Sequence, residues 1–168
     1  LFTMAQGKQT AVPSAPQLFE EGLVSTSQYE RDMAISPDGH EMFYTIQVRP
    51  TGFQTIVHRL KKEGRWTAPQ VASFSGQYSD LEPAFSSDGK KLFFCSRRPV
   101  DGKAGKDFNI WFSEKQNGVW TTPKNVCAPV NSEADEFYPS VSQNGNLYFT
   151  STRKRSPGAR SSSTRTAV

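Results

Sequence analysis

Acids recur at matched places in this chain, and they are the residues best suited to chemistry. Glu30, Asp80 and Glu136 each open a similar stretch, with Asp32, Glu82 and Asp135 close by. Carboxylates converging from such positions are hard oxygen donors, suited to Ca²⁺ or Mg²⁺. They also attract a cationic peptide segment, and two at the right separation can act as an acid–base pair. The structural alternative is that each acid binds backbone amides or pairs with an arginine. Arg97 and Arg153 are the arginines in question, read as equivalent, with Arg98 beside the first. They could instead grip a carboxylate or sugar acid through bidentate hydrogen bonds. Tyr29 and Tyr78 precede the first two acids and are expected near the same place. Trp66 and Trp120, each followed by Thr-x-Pro, could stack on sugar rings or pack an outer strand.

The elements that must position these groups are written in a repeat. Glu30-Arg31-Asp32-Met33-Ala34-Ile35-Ser36-Pro37-Asp38-Gly39 aligns with Asp80 to Gly89 and with Glu136 to Gly145. Asp38 and Asp88 lie 50 residues apart, Asp88 and Asn144 56. Such a period with strand-like content signals a β-propeller, one repeat to a blade. Asp-Gly or Asn-Gly between apolar runs predicts a hairpin with positive φ at both turn residues. Continuous runs such as Met42–Thr45 and Leu92–Cys95 suit second strands buried on both faces.

Third strands are expected at Phe53–His58 and Phe108–Phe112. Beyond a polar Gly-containing loop, Pro69 and Pro123 introduce outer strands near Gln70–Ala72 and Lys124–Val126. Gln17–Phe19 reads as the outer strand of a further blade. The expected organisation is an N-terminal extension over 1–15 and a partial propeller over 16–153. Its repeats fall near 30–72, 80–126 and 136–153. The fold class is all-β, about three four-stranded blades of an incomplete ring.

A disordered Ser/Arg-rich tail is expected over 154–168, since almost nothing there is apolar. The chain has 168 residues and a net charge of +4, and residues 153–168 hold five bases and no acid. Without them the remainder is slightly acidic, so the basic balance does not imply a nucleic-acid partner. No apolar run is long enough for a membrane-spanning helix. Cys95 and Cys127 do not suggest a disulfide framework. His40 and His58 are too few for a histidine metal cluster, and no Gly-x-Ser-x-Gly elbow occurs. Gly102-Lys103-Ala104-Gly105-Lys106 lacks the spacing of a phosphate loop and reads as a lysine-rich turn.

The pattern acid-x-x-Pro-small-apolar-Ser-x-Asp-Gly-x-x-Leu-x-Phe-x-Ser-x-Arg resembles the PD40, or WD40-like, repeats of TolB-type β-propellers. Asp80–Arg97 carries it best, with Pro83, Asp88-Gly89, Leu92, Phe94 and Ser96; Glu136–Arg153 keeps Pro139, Leu147, Phe149 and Ser151. The first copy departs from it, with Met33 for the proline and no Ser-x-Arg. The resemblance implies a bacterial, periplasmic or secreted propeller, six-bladed in many relatives. It implies a binding or scaffold role toward a protein or envelope polymer, at the channel mouth or loop face. The alternative is part of a propeller enzyme, a glycan hydrolase or lyase or a peptidase-associated propeller, using channel acids and arginines. A homodimer that completes the ring is a further expectation. No cofactor is expected beyond Ca²⁺.

Overall fold

The computed structural model describes residues 14–154 and 166–167, and all its regular structure is β. The first sheet holds β1 (Tyr29–Ile35), β2 (Glu41–Val48), β3 (Phe53–Lys62), β4 (Arg65–Trp66) and β5 (Gln70–Val71). The second repeats it as β6 (Asp80–Phe85), β7 (Lys91–Ser96), β8 (Asn109–Gln116), β9 (Val119–Trp120) and β10 (Lys124–Asn125). The third has β11 (Glu136–Val141), β12 (Asn146–Ser151) and β13 (Thr166–Ala167). Neighbours pair antiparallel, and β1, β6 and β11 lie side by side as the innermost strands. Among the described residues no helix is long and apolar enough to cross a membrane.

The third strands are longer than expected, because β3 and β8 each run on into a two-residue hairpin. Glu63-Gly64 and Asn117-Gly118 make those turns with both φ positive, at 50° and 78°, and 50° and 80°. The repeat Asp-Gly turns differ from the expectation. Only Gly39, Gly89 and Gly145 have positive φ there, and the connection is wider. The serine before each turn explains this. Ser86 Oγ donates to Asp88 Oδ1 at 2.7 Å and accepts the Lys91 N–H at 2.9 Å, closing the loop. Ser36–Asp38 and Ser142–Asn144 repeat the device. The Ser86 hydroxyl and the Lys90 N–H hold the Asp88 carboxyl below its usual range.

Each inner strand carries a bulge, and the bulge accounts for the repeat proline. Register shifts between Arg31 and Ala34, Leu81 and Ala84, and Phe137 and Ser140. Asp32, Glu82 and Tyr138 sit in the left-handed region there, at φ 55°, 57° and 53°. The ladder skips the next residue, so Pro83 and Pro139 forfeit no bond by lacking an N–H.

Apolar clusters fill the spaces between sheets. Phe43, Ile56, Leu92, Phe94, Trp111 and Trp120 join the first two, and Leu81, Phe93, Ile110, Val130 and Leu147 the next two. The β2 and β7 segments are buried on both faces as expected, whereas on β12 only Leu147 is.

On the outer side of the first sheet, Val24 packs against Met42, Tyr44, Val57 and Trp66. Val24, Phe74 and Val130 each precede a repeat acid by six residues, so the linker plug is itself part of the repeat. Gln17–Phe19 is not a strand, and Leu18 is 65% exposed. An outer strand needs a third strand to pair with, and none is present beside it among the described residues. Thr166–Ala167 pairs with β12 inside the segment expected to be disordered. The remainder of that tail from residue 155, and residues 1–13 of the expected extension, lie outside the described residues.

Phe94 has no exposed surface and stacks on Phe74 at 4.9 Å. Phe94→Ala should cost about 3–5 kcal/mol, read as a lower midpoint in equilibrium urea unfolding.

Candidate functional site

Asp80 and Glu136 begin inner strands and have no exposed surface. Asp80 accepts from Arg98 Nη2 at 2.8 Å and from Ser75 Oγ at 2.8 Å. Glu136 accepts from Arg153 Nη2 at 2.9 Å, Ser132 Oγ at 2.7 Å and Ser151 Oγ at 2.9 Å. In both repeats the serine of Ser-x-Arg orients the guanidinium by accepting from Nε, at 2.9 Å for Arg98 and 2.8 Å for Arg153. The same guanidinium donates to a linker carbonyl, Phe74 in one case and Pro129 in the other. These are closed internal braces rather than acids lining an open channel.

The arginine equivalent to Arg153 is therefore Arg98, not Arg97. Two adjacent arginines made the register ambiguous, and the count from Ser96 settles it. Arg97 lies over the Phe108 ring at 4.4 Å and carries no brace. The first repeat has no brace arginine; Glu30 accepts a hydrogen bond from Thr26 Oγ1 instead. Asp135 also has a structural partner, accepting the Phe108 N–H at 2.8 Å.

Glu82 and Asp32, on the bulges, come closest to the expected channel group. Asp32 pairs with its neighbour Arg31 at 2.6 Å, and Arg31 reaches Glu82 at 3.5 Å. Glu82 also accepts the Tyr138 N–H at 2.6 Å and the Cys95 thiol at 3.3 Å, so it touches all three repeats. Burial raises the Glu82 carboxyl above its ordinary range, against the pull of the Tyr138 N–H. Burial, with Glu82 beside it, pushes the Cys95 thiol up as well. No group of three or more His, Cys, Asp or Glu among the described residues could hold a metal ion. The Ca²⁺ expectation thus has no donor set there, because Asp80 and Glu136 are turned into their braces.

Tyr29 and Tyr138 remain open, at 44% and 57% exposure. Arg49 lies 4.4 Å over the Tyr29 ring, beside a cleft of about 440 Å³ that includes Gln28 and Val48. Tyr78 lies near Arg98 and borders a second cleft of about 440 Å³ with Phe74, Trp111 and Trp120. A third, of about 730 Å³, lies between the β7–β8 connection and the segment leading to β11. The clefts follow the long-connection side, where inner strands begin. The sequence reading missed the third, although the wider spacing of the last two repeats was its signal.

No family model matches this chain, and no curated protein matches it. Solved structures do. TolB from Agrobacterium tumefaciens superposes with a TM-score of 0.51 at 22% identity, over 73% of this chain and 38% of that one. A puromycin-hydrolyzing peptidase from Mycobacterium tuberculosis gives 0.55 at 18%, over 76% and 19%. The fold is a β-propeller segment. This chain spans well under half the length of either neighbour.

Arg98→Ala should cost about 3–5 kcal/mol, because it strands the buried Asp80 charge. Arg97→Ala should cost less than about 1 kcal/mol in the same urea titration. Glu82→Gln tests the raised carboxyl. A raised folded-state pKa gives stability that is present at acid pH and lost as pH rises through that value. The advantage of Glu82→Gln over the parent should therefore grow from pH 4 to pH 8 in thermal melts. A flat difference would contradict the raised value.

Proposed function

We propose that this chain is a non-catalytic binding propeller that engages a protein or cell-envelope polymer at its channel mouth and loop face. The observation that carries the reading is the difference between the two sides of the segment on which the strands end. One is closed by short turns at Pro37–His40, Glu63-Gly64, Ser87–Lys90 and Asn117-Gly118. The other carries the long connections and the clefts. Function sits in such grafted sites rather than in the fold.

The contact groups proposed are those with accessible surface, Tyr29, Glu30, Asp32, Tyr78 and Tyr138. Asp80, Glu136 and Arg153 would support them from beneath. A second copy that completes the ring is a further partner proposed, and a periplasmic or secreted setting follows the repeat resemblance. The enzyme reading has one observation in its favour, the raised Glu82 carboxyl. That side chain is only 4% exposed and is already held by Tyr138 and Cys95, which favours a structural task.

The test is binding of the purified chain to peptide arrays and to insoluble cell-wall polymer. Tyr29→Ala with Tyr78→Ala should weaken capture at least about tenfold, roughly the loss of one aromatic anchor. Lys90→Ala, on the tight-turn face, should leave it unchanged. Equal loss in both variants, or no capture by either material, would sink the proposal. Light scattering on the same sample reports the second copy, as a mass near twice 18.7 kDa.

A further inference from the structure

The β7–β8 connection, residues 97–108, is where the second repeat outgrows the first, whose β2–β3 connection is only residues 49–52. Inside it Asp101 and Gly102 both have positive φ, at 50° and 74°. Val100 and Lys103 exchange backbone hydrogen bonds of 3.1 and 2.9 Å, folding the segment into a miniature hairpin. Three contacts fix it in place. Val100 packs on the cluster between the first two sheets, and Phe108 is bonded to Asp135. Gly105 runs so close to Arg97 that an added Cβ would stand 2.1 Å from its carbonyl oxygen. The glycine noted in the sequence as part of a turn is thus the point where the hairpin locks to the sheet.

The opposite wall is the connection after β10. Asn131 holds it by gripping both backbone groups of Ile110, at 2.8 Å each. Cys127, at φ 65°, closes a turn there by accepting the Asn131 N–H at 2.9 Å. The cleft between these walls, about 730 Å³, is of ligand-binding size. Lys103 and Lys106 line it together with Asp101, Asp107 and Glu133. The lysine ion pairs found among the described residues belong to Lys115 and Lys124, so neither cleft lysine is consumed. Asn125 Nδ2, at the wall, is buried without a partner.

This lining carries charges of both signs. An ion of one sign would face repelling groups as well as attracting ones. A sugar ring would find no aromatic side chain in the lining to stack on. An extended peptide with lysines and carboxylates interleaved matches both signs of the lining.

We propose that the cleft between the Asp101-Gly102 hairpin and residues 125–133 binds a peptide segment carrying charges of both signs. This rests on the loop-face reading above and names the chemistry of its partner.

Cys127 lets the cleft be read directly, since it is exposed on the lining while Cys95 has no exposed surface. The experiment is the rate of iodoacetamide labelling of the folded chain with decapeptides of alternating Lys/Glu, all-Lys or all-Glu sequence, or a linear oligosaccharide. The alternating peptide should slow labelling at least about tenfold at saturation, the occupancy expected well above Kd. Lys103→Glu with Lys106→Glu, both exposed, should lose that protection and gain it from the all-Lys peptide. Gly105→Ala, which displaces the hairpin, should also abolish it. Unchanged labelling with every peptide at millimolar concentration would overturn the proposal, as would equal protection by the oligosaccharide. Persistent protection by the alternating peptide in the double lysine variant would overturn it too. If Gly105→Ala does not fold, the double lysine variant decides. Loss of array binding in the tyrosine variants alongside unprotected Cys127 would overturn this cleft and leave the loop-face reading standing.

Discussion

In the second and third sheets one backbone N–H of each inner strand leaves its own ladder and is satisfied by the sheet before it. Glu82 N–H goes to Thr45 Oγ1 at 3.1 Å, and Tyr138 N–H to the Glu82 carboxylate at 2.6 Å. A buried amide without a partner is costly, so the bulge compels each sheet to sit where its predecessor can accept. The left-handed φ at Asp32, Glu82 and Tyr138 belongs to the bulge itself, since the first sheet has it without a predecessor among the described residues. The repeat acids act two residues earlier in the same strands. A carboxylate out of water needs replacements for its hydration, and Asp80 and Glu136 take theirs from a linker serine and the Ser-x-Arg arginine. Linker, inner strand and second strand are thereby tied at one junction, where each sheet begins.

That junction also divides the molecule into two unlike faces. The turn face repeats two short solutions, a serine closing an Asp-Gly or Asn-Gly loop and a two-residue hairpin at Glu63-Gly64 and Asn117-Gly118. The connection face carries segments of different length, and its variation is supported by fixed points beneath. The β7–β8 hairpin shows how an insertion becomes a wall: a glycine packs against a carbonyl and a bulge-strand neighbour, Asp135, caps its far end. Loops positioned by a rigid scaffold are the usual carriers of specificity. The two solved neighbours share the architecture at low identity, which speaks to the scaffold and not to what it holds.

Much of this was legible in the residues. In the first two repeats, strand order, the buried second strands and the proline-led outer strands follow from local pattern, because alternation, turn chemistry and missing donors act within a few residues. The acid–arginine pairing was visible as one alternative, and the Ser-x-Arg spacing already carried its register. Arg97 and Arg98 are chemically identical, and the spacing from Ser96 selects Arg98 because that hydroxyl accepts from both its Nε and its backbone N–H. Among the described residues the acids do not gather into a Ca²⁺ donor set, and equivalence in sequence does not tell whether side chains converge or turn away.

The sequence by itself determined the repeat, the all-β content and the chemistry available at each junction. Those are properties of short windows, in which hydrogen-bonding capacity and side-chain shape dominate. Only the tertiary structure decided that Asp80 and Glu136 are buried braces, that Glu82 spans three repeats, and that Gly105 fixes a cleft wall. Each depends on contacts between residues far apart in the chain, where the preceding sheet supplies the partner and sets the burial.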